Sequence, residues 1–266
     1  MKNLHAILLL FLANSVSGVA QGISLLAVPW YFAREGMLGR FGWIYVAISL
    51  VSVFWSPYSG TLVDRFNRKH LFLALTAIVG LLVLGTAAWG FHRGDLPWYA
   101  VAGVFGLTFL NFNLHYPNLY AFVQEITERE YYGSITSYIE IQGQVTNMLA
   151  GAAGAMLLEG APDGTLNVFG FYVDVGFDFE PWQIYEIFLL DAFTYFLSFL
   201  IILLIRFVPL QERKPERGNL LRQLRTGLDF LREHPYLFLF GVASYSIFAT
   251  VLVLNFFIGA LYVSDH

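Results

Sequence analysis

The chain has 266 residues, 57% of them hydrophobic and 13% charged, with a formal net charge of −4 and a mean hydropathy of +0.61. Soluble domains carry about 25% charged residues, so this composition excludes a disordered chain, a nucleic-acid binder with a basic surface and most soluble enzymes. There are no cysteines, which removes disulfides, thiolate metal sites and cysteine nucleophiles.

A helix needs about 20 apolar residues to cross a bilayer, and seven windows supply them. Residues 3–33, 41–63, 70–92 and 96–124 contain no Asp, Glu, Lys or Arg. Residues 131–158 contain only Glu140, residues 181–205 contain Glu186 and Asp191, and residues 234–264 contain none. Because lipid cannot satisfy a bare backbone, these windows predict helices rather than open sheet. The first window, with Lys2 ahead of it and Gly18-Val19-Ala20 within it, also fits a cleavable signal. Its apolar run continues to Phe32, so a retained span is expected.

With the N-terminus inside, the inner segments hold Lys2, Arg65, Arg68, Lys69 and Arg129, then Arg206, Arg213, Lys214, Arg217, Arg222, Arg225 and Arg232. Only Arg34, Arg40 and Arg93 fall outside. Basic residues collect on the cytoplasmic side of membrane proteins, so a cytoplasmic N-terminus is predicted. The outer loop 159–181 has no basic residue and alternates with period two from Val173 to Phe179, which predicts a small hairpin or cap. The inner segment 206–234 begins with a charged break at Arg213–Gly218. Leu220, Leu221, Leu224, Leu228 and Leu231 then follow at helical spacing, with Arg222, Arg225 and Arg232 between them. That pattern predicts an amphipathic helix lying in the interface. The chain thus divides into a six-helix transmembrane bundle over 1–205, a cytoplasmic linker over 206–234, and a seventh span over 235–266.

Polar residues form two stripes. Asn14, Ser17, Gln21 and Ser24 recur at i, i+3, i+7 and i+10 in the first span, and Thr108, Asn111, His115 and Asn118 repeat those intervals in the fourth. Each set makes one polar face on an apolar helix, and such a face must meet a partner or a wet cavity. Glu140 shares a stripe with Gln144, Asn147 and Gly151; Asp191 lies near mid-depth of its span. Both are candidate coupling acids. Pro29, Pro57 and Pro117 lie inside spans and can bend them.

Between the second and third spans runs Gly60-Thr61-Leu62-Val63-Asp64-Arg65-Phe66-Asn67-Arg68-Lys69. Gly60 predicts the close approach of another helix, and Asp64, Arg65, Arg68 and Lys69 predict ion pairs that break and reform, as in a gate. This loop resembles the signature of the major facilitator superfamily, G-x-L-a-D-r-x-G-r-k. It matches at Gly60, Leu62, Asp64, Arg65, Arg68 and Lys69. Asn67 stands where that family usually has Gly, as the next most tolerant residue for a left-handed turn. Asn14–Tyr31 and Phe188–Phe193 resemble the macrolide-efflux and enterobactin-exporter branch, and Gly143–Gly154 is similar to a loose antiporter glycine motif without its Pro.

The resemblance implies an all-α membrane protein: the six-helix N-terminal bundle of the major facilitator fold plus a seventh helix, incomplete relative to about twelve spans. It implies a secondary transporter exporting a small amphipathic substrate by alternating access in the bacterial cytoplasmic membrane, with an ion, expected to be the proton, as coupling partner. The two polar stripes would line the substrate cavity. A chain with seven spans is expected to be a truncated or partial transporter. The alternative is a non-transporting membrane receptor or binding protein, which the seven-span count fits; the seventh span has no Lys for a Schiff base. The sequence contains no H-E-x-x-H, no G-x-S-x-G and no paired catalytic aspartates, so no enzymatic activity, metal or cofactor is expected.

Overall fold

A computed structural model describes residues 3–161, 164–168, 171–174, 176–210, 225 and 229–254. Six long helices form one bundle: α1 (Leu4–Arg34), α2 (Leu38–Arg65), α3 (Arg68–Arg93), α4 (Trp98–Ile126), α5 (Tyr132–Glu159) and α6 (Ile184–Leu204). A 3₁₀ turn over Arg129–Tyr131 leads into α5, and α7 (Pro235–Val253) follows the linker.

The helix ends follow from local chemistry. Asn67 caps α3, its side chain accepting from the backbone N–H of His70 at 3.1 Å. Its φ is −62°, in extended backbone, which corrects the expectation of a left-handed turn: here Asn serves as an acceptor for an orphan helix donor. Gly94 ends α3 in the left-handed region, at φ 77°. Gln183 and Glu186 form a capping box at the start of α6.

The predicted outer hairpin is present, but earlier in the chain than the alternation suggests. β1 (Thr165–Val168) pairs antiparallel with β2 (Phe171–Asp174), Thr165 opposite Asp174 and Val168 opposite Phe171. A bridge between Ala161 and Phe179 closes the loop's base. Most of the predicted linker helix lies outside the described residues, including Leu220, Leu221, Leu224, Leu228 and Arg222. Residues 229–233 are helical.

Helix α1 runs through the bundle, packed on α5 and α6 and touching α2 and α4; α3 lies against α6 and α4, and α2 rests on α4. Two apolar clusters fill the interior. The larger, towards the hairpin end, includes Phe32, Phe41, Phe105, Ile187 and Phe188. The smaller, towards the other end, includes Leu10, Phe72, Phe122, Ile139 and Ile202. Burial is uneven: α2 buries only Phe41, Ser59 and Val63. Along α7 every side chain whose exposure is described is exposed except Gly241.

By length and composition, four helices among the described residues can cross a membrane: α1, α2, α3 and α6. Helices α4 and α5, of 29 and 28 residues, are as long but more polar. Asn111, Asn113, His115 and Asn118 interrupt one; Glu140, Gln142, Gln144 and Asn147 interrupt the other.

Close packing of α1 on α5 depends on Gly18 and Gly22. A Cβ at Gly22 would lie 2.6 Å from the Cβ of Ala150, and one at Gly18 would lie 2.9 Å from Cγ2 of Thr146. In the stretch that resembles the antiporter motif, Gly143 and Gly151 face open space. Where lipid removes the hydrophobic drive, small residues that let backbones approach closely favour helix association through packing. Gly22→Ala is therefore expected to destabilise the bundle by about 1–3 kcal/mol, the usual cost of overpacking, while Gly143→Ala leaves it unchanged. Thermal unfolding of the two variants in detergent micelles checks this.

Candidate functional site

The α2–α3 connection sits at the end of the bundle where α4 and α6 also finish, which we call the basic end. The Arg68 guanidinium donates to the carbonyl of Ala121 at 2.8 Å and to Glu125 Oε2 at 3.0 Å. Asn118, in turn, donates to the carbonyl of Arg68 at 3.0 Å. The Lys69 ammonium donates to the carbonyls of Leu203 and Ile205, at 3.0 and 2.7 Å. It thereby satisfies carbonyls at the end of α6, where the helix dipole also favours a cation. Asn3 bridges α4 to the segment leaving α6: its Nδ2 donates to Ile126 and Val208, both at 2.9 Å, and its Oδ1 accepts from the N–H of Val208.

Arg68 and Lys69 fasten α3 to α4 and α6 within the bundle, while Asp64 and Arg65 are exposed. The predicted close approach at Gly60 is not made among the described residues, since a Cβ there would meet nothing within 4 Å. Glu125, the partner of Arg68, is the residue the sequence reading missed. It lies one position beyond the charge-free window of 96–124, and it is in the last turn of α4.

The two polar stripes meet inside the bundle. Asn14 Oδ1 lies 2.8 Å from His115 Nε2, and Asn14 Nδ2 donates to Gln142 Oε1 at 3.3 Å, so one side chain joins α1, α4 and α5. Gln142 also donates to the carbonyl of Phe11 and to Ser15 Oγ. Ser17 donates back to the carbonyl of Ala13 at 3.1 Å, which Ser198 of α6 also reaches, at 2.6 Å. Asn111 donates to the Tyr195 hydroxyl of α6 at 3.3 Å. Thr108 and Asn118 are 1% and 0% exposed, so these two members of the stripe face the packing inside the bundle. Beside His115 and Asn14, with Ser17, Phe72 and Thr76 around it, lies a void of about 10 Å³, roughly the room of one water molecule and far below that of an organic molecule.

Asp191 is fully buried, and neither of its carboxylate oxygens has a hydrogen-bond partner among the described residues. Ser24 of α1 and Tyr195 one turn further along α6 are its polar surroundings. Gln21 Nε2, Ser24 Oγ, Thr108 Oγ1 and Asn111 Oδ1 are likewise buried without partners. Glu140 has the opposite setting: it is exposed, and its carboxylate accepts from the Tyr120 hydroxyl of α4. Gln144 and Asn147 continue that exposed stripe along α5.

Polar side chains paired within a bundle of long apolar helices define a multi-pass α-helical membrane protein. The family model of the Major Facilitator Superfamily matches residues 10–265, and the chain belongs to that family. A multidrug efflux pump, Tap, of Mycobacterium tuberculosis (strain ATCC 25618 / H37Rv) is 34% identical over 93 residues, which are 34% of this chain and 22% of that protein. Tap of Mycobacterium bovis (strain BCG / Pasteur 1173P2) matches with the same identity and the same shares. The match thus spans less than a quarter of the length of these curated relatives.

The Arg68–Glu125 pair is largely buried, with side-chain exposures of 19% and 8%, against 80% and 52% for Arg232–Asp229. Removing one partner of a buried pair strands the other charge and costs about 3–5 kcal/mol, whereas exposed pairs contribute little. Glu125→Ala is expected to lower the unfolding temperature in micelles sharply and Asp229→Ala to leave it in place. Equal effects would mean that the clasp does not hold the basic end.

Proposed function

We propose that this chain is part of a secondary transporter that exports a small amphipathic molecule by alternating access, with its basic end in the cytoplasm of a bacterial cell and six crossings in the bundle. The observation that carries this reading is the exposed row of Glu140, Gln144 and Asn147 on α5. A helix of 28 residues is about 42 Å long at 1.5 Å per residue, against an apolar layer of about 30 Å. Glu140 lies eight residues in from Tyr132, about 12 Å along the helix, which is inside that layer for a helix centred in it. A carboxylate exposed at that depth is costly against lipid and calls for a water-filled path or a partner. In a transporter that face lines the path, with a second helical bundle opposite. Family membership and the relatives named as multidrug efflux pumps support the same reading.

Asp191 is the proposed coupling acid. A buried carboxylate with no cation beside it is strongly disfavoured, and the neutral acid much less so, which suits a group that binds a proton and releases it as the bundles move. The reading involves no covalent step. It is tested with the full-length protein in proteoliposomes, by following ethidium and Nile red under an imposed proton gradient. Gradient-driven movement of at least one dye, abolished by a protonophore, is expected. Asp191→Asn is expected to cut this flux at least tenfold while substrate counterflow persists. No flux of either dye would remove the transporter reading; full flux in Asp191→Asn would remove the acid's role.

A further inference from the structure

Between α1, α4 and α6 the bundle buries more oxygen than it supplies with donors. Asp191 Oδ1 and Oδ2, Ser24 Oγ, Thr108 Oγ1 and Asn111 Oδ1 are all buried without a hydrogen-bond partner among the described residues. Ser24 faces Asp191 from α1, and Tyr195 stands one turn along α6 from Asp191. Asn111 of α4 donates its amide to the Tyr195 hydroxyl at 3.3 Å, and Thr108 lies one turn before Asn111 on the same face. The one unpartnered nitrogen that these three helices bury among the described residues is Gln21 Nε2. On the far side, α3 seats its bare Gly80 against Tyr195, where a Cβ would lie 3.0 Å from the Tyr195 Cβ. Lys and Arg enter α1, α3, α4 and α6 only at Arg34, Arg68, Lys69 and Arg93, each within two residues of a helix end. The other titratable side chains near this level are His115, which is engaged with Asn14, and Tyr195 itself.

We propose that Asp191, Ser24, Thr108 and Asn111, with the Tyr195 hydroxyl, form a site for a dehydrated sodium ion inside the bundle, where the ion and the proton exclude each other. A buried carboxylate must be neutralised, paired or bound to a metal, and no basic side chain is at hand to pair with it. Carboxylate, amide carbonyl and hydroxyl oxygens are the donors that hard cations take. The two hydroxyls keep lone pairs for an ion by donating to the carbonyl one turn back, as Ser17 does to Ala13. A proton on Asp191 neutralises the carboxylate but leaves Thr108 Oγ1 and Asn111 Oδ1 unanswered, whereas a cation answers all five oxygens. One carboxylate balances one positive charge, so a divalent ion would leave a buried charge uncompensated. The close packing of the three helices favours the small sodium ion over potassium.

This proposal rests on the coupling role of Asp191 for its use in the cell, but binding is measured without transport. The full-length protein in micelles is titrated with radioactive sodium chloride at mildly alkaline and mildly acidic pH, with choline chloride holding the ionic strength constant. Saturable binding is expected at alkaline pH. It should be at least tenfold weaker at acidic pH, where the proton takes the carboxylate, and at least tenfold tighter than potassium in competition. Asp191→Asn is expected to abolish it. Thr108→Val, which keeps the shape and removes the hydroxyl, is expected to weaken it at least tenfold. Sodium should also raise the unfolding temperature of the wild type and leave that of Asp191→Asn in place. Should a variant fail to fold, the competition of proton and potassium with sodium in the wild type carries the test. No saturable sodium binding, equal binding at the two pH values, equal affinity for potassium, or undiminished binding in Asp191→Asn overturns the site. If sodium does not bind while a proton gradient still moves dye, the site fails and the transporter stands. If sodium binds through Asp191 while no dye moves, the site stands and the transporter fails.

Discussion

Hydrocarbon offers no water to a polar group, so each polar side chain in a membrane helix must find a partner within the protein, reach an end, or face a path that water enters. The polar side chains of this bundle divide it into three regions. Asn14, His115 and Gln142 satisfy one another across three helices. Arg68, Lys69 and Asn3 collect at the basic end, where helix carbonyls need donors. Glu140, Gln144 and Asn147 stay exposed along one helix. The apolar clusters fill the space between these regions, but the polar constraint decides which face of each helix turns inward.

The basic end is a fastening. Arg68 holds α4 through a carbonyl and a carboxylate, Lys69 holds the end of α6, and Asn3 ties the start of α1 to the end of α4 and to the segment beyond α6. Each bond joins elements distant in sequence at one level of the bundle. Alternating access by rocking moves bundles largely as rigid bodies, and a bundle whose helix ends are cross-linked by charge-assisted bonds satisfies that requirement. Asp64 and Arg65 lie exposed beside this fastening.

The long charge-free runs made the helices of the bundle legible, because charge cannot enter the layer cheaply. The runs end where the helices end only to within a few residues, and that is why Glu125 was missed: it sits just past the apolar window, where an ion pair at the bundle's end can hold it. Helical periodicity revealed the two stripes but not their direction. A polar stripe facing a neighbouring helix and one facing a wet path have the same spacing, and only the packing of α4 on α3 and α6 separates them. Asn67 carried a similar ambiguity, since Asn suits both a left-handed turn and a helix cap. The need of Gly22 for a bare Cα was invisible because it depends on Ala150, 128 positions away.

The two acids Glu140 and Asp191 occupy opposite environments, one exposed and one buried, and α1 packs on the helices that carry both. Its Asn14 bonds His115 of α4 and, through Gln142, the helix that carries Glu140; its Ser24 faces Asp191. The two contacts are ten residues apart, about 15 Å along one rigid helix. On the proposed reading Glu140 lines the path at the open face and the proton answers Asp191 inside. Coupling then requires a mechanical link between the sites. Helix α1 is the element that can supply it, because it packs on both α5 and α6. Its seating on α5 is set by the bare Cα atoms of Gly18 and Gly22, so on the proposed reading α1 would carry a shift of α5 towards α6. On that reading the close contact of α1 with α5 both stabilises the bundle and links the helix of Glu140 to the helix of Asp191.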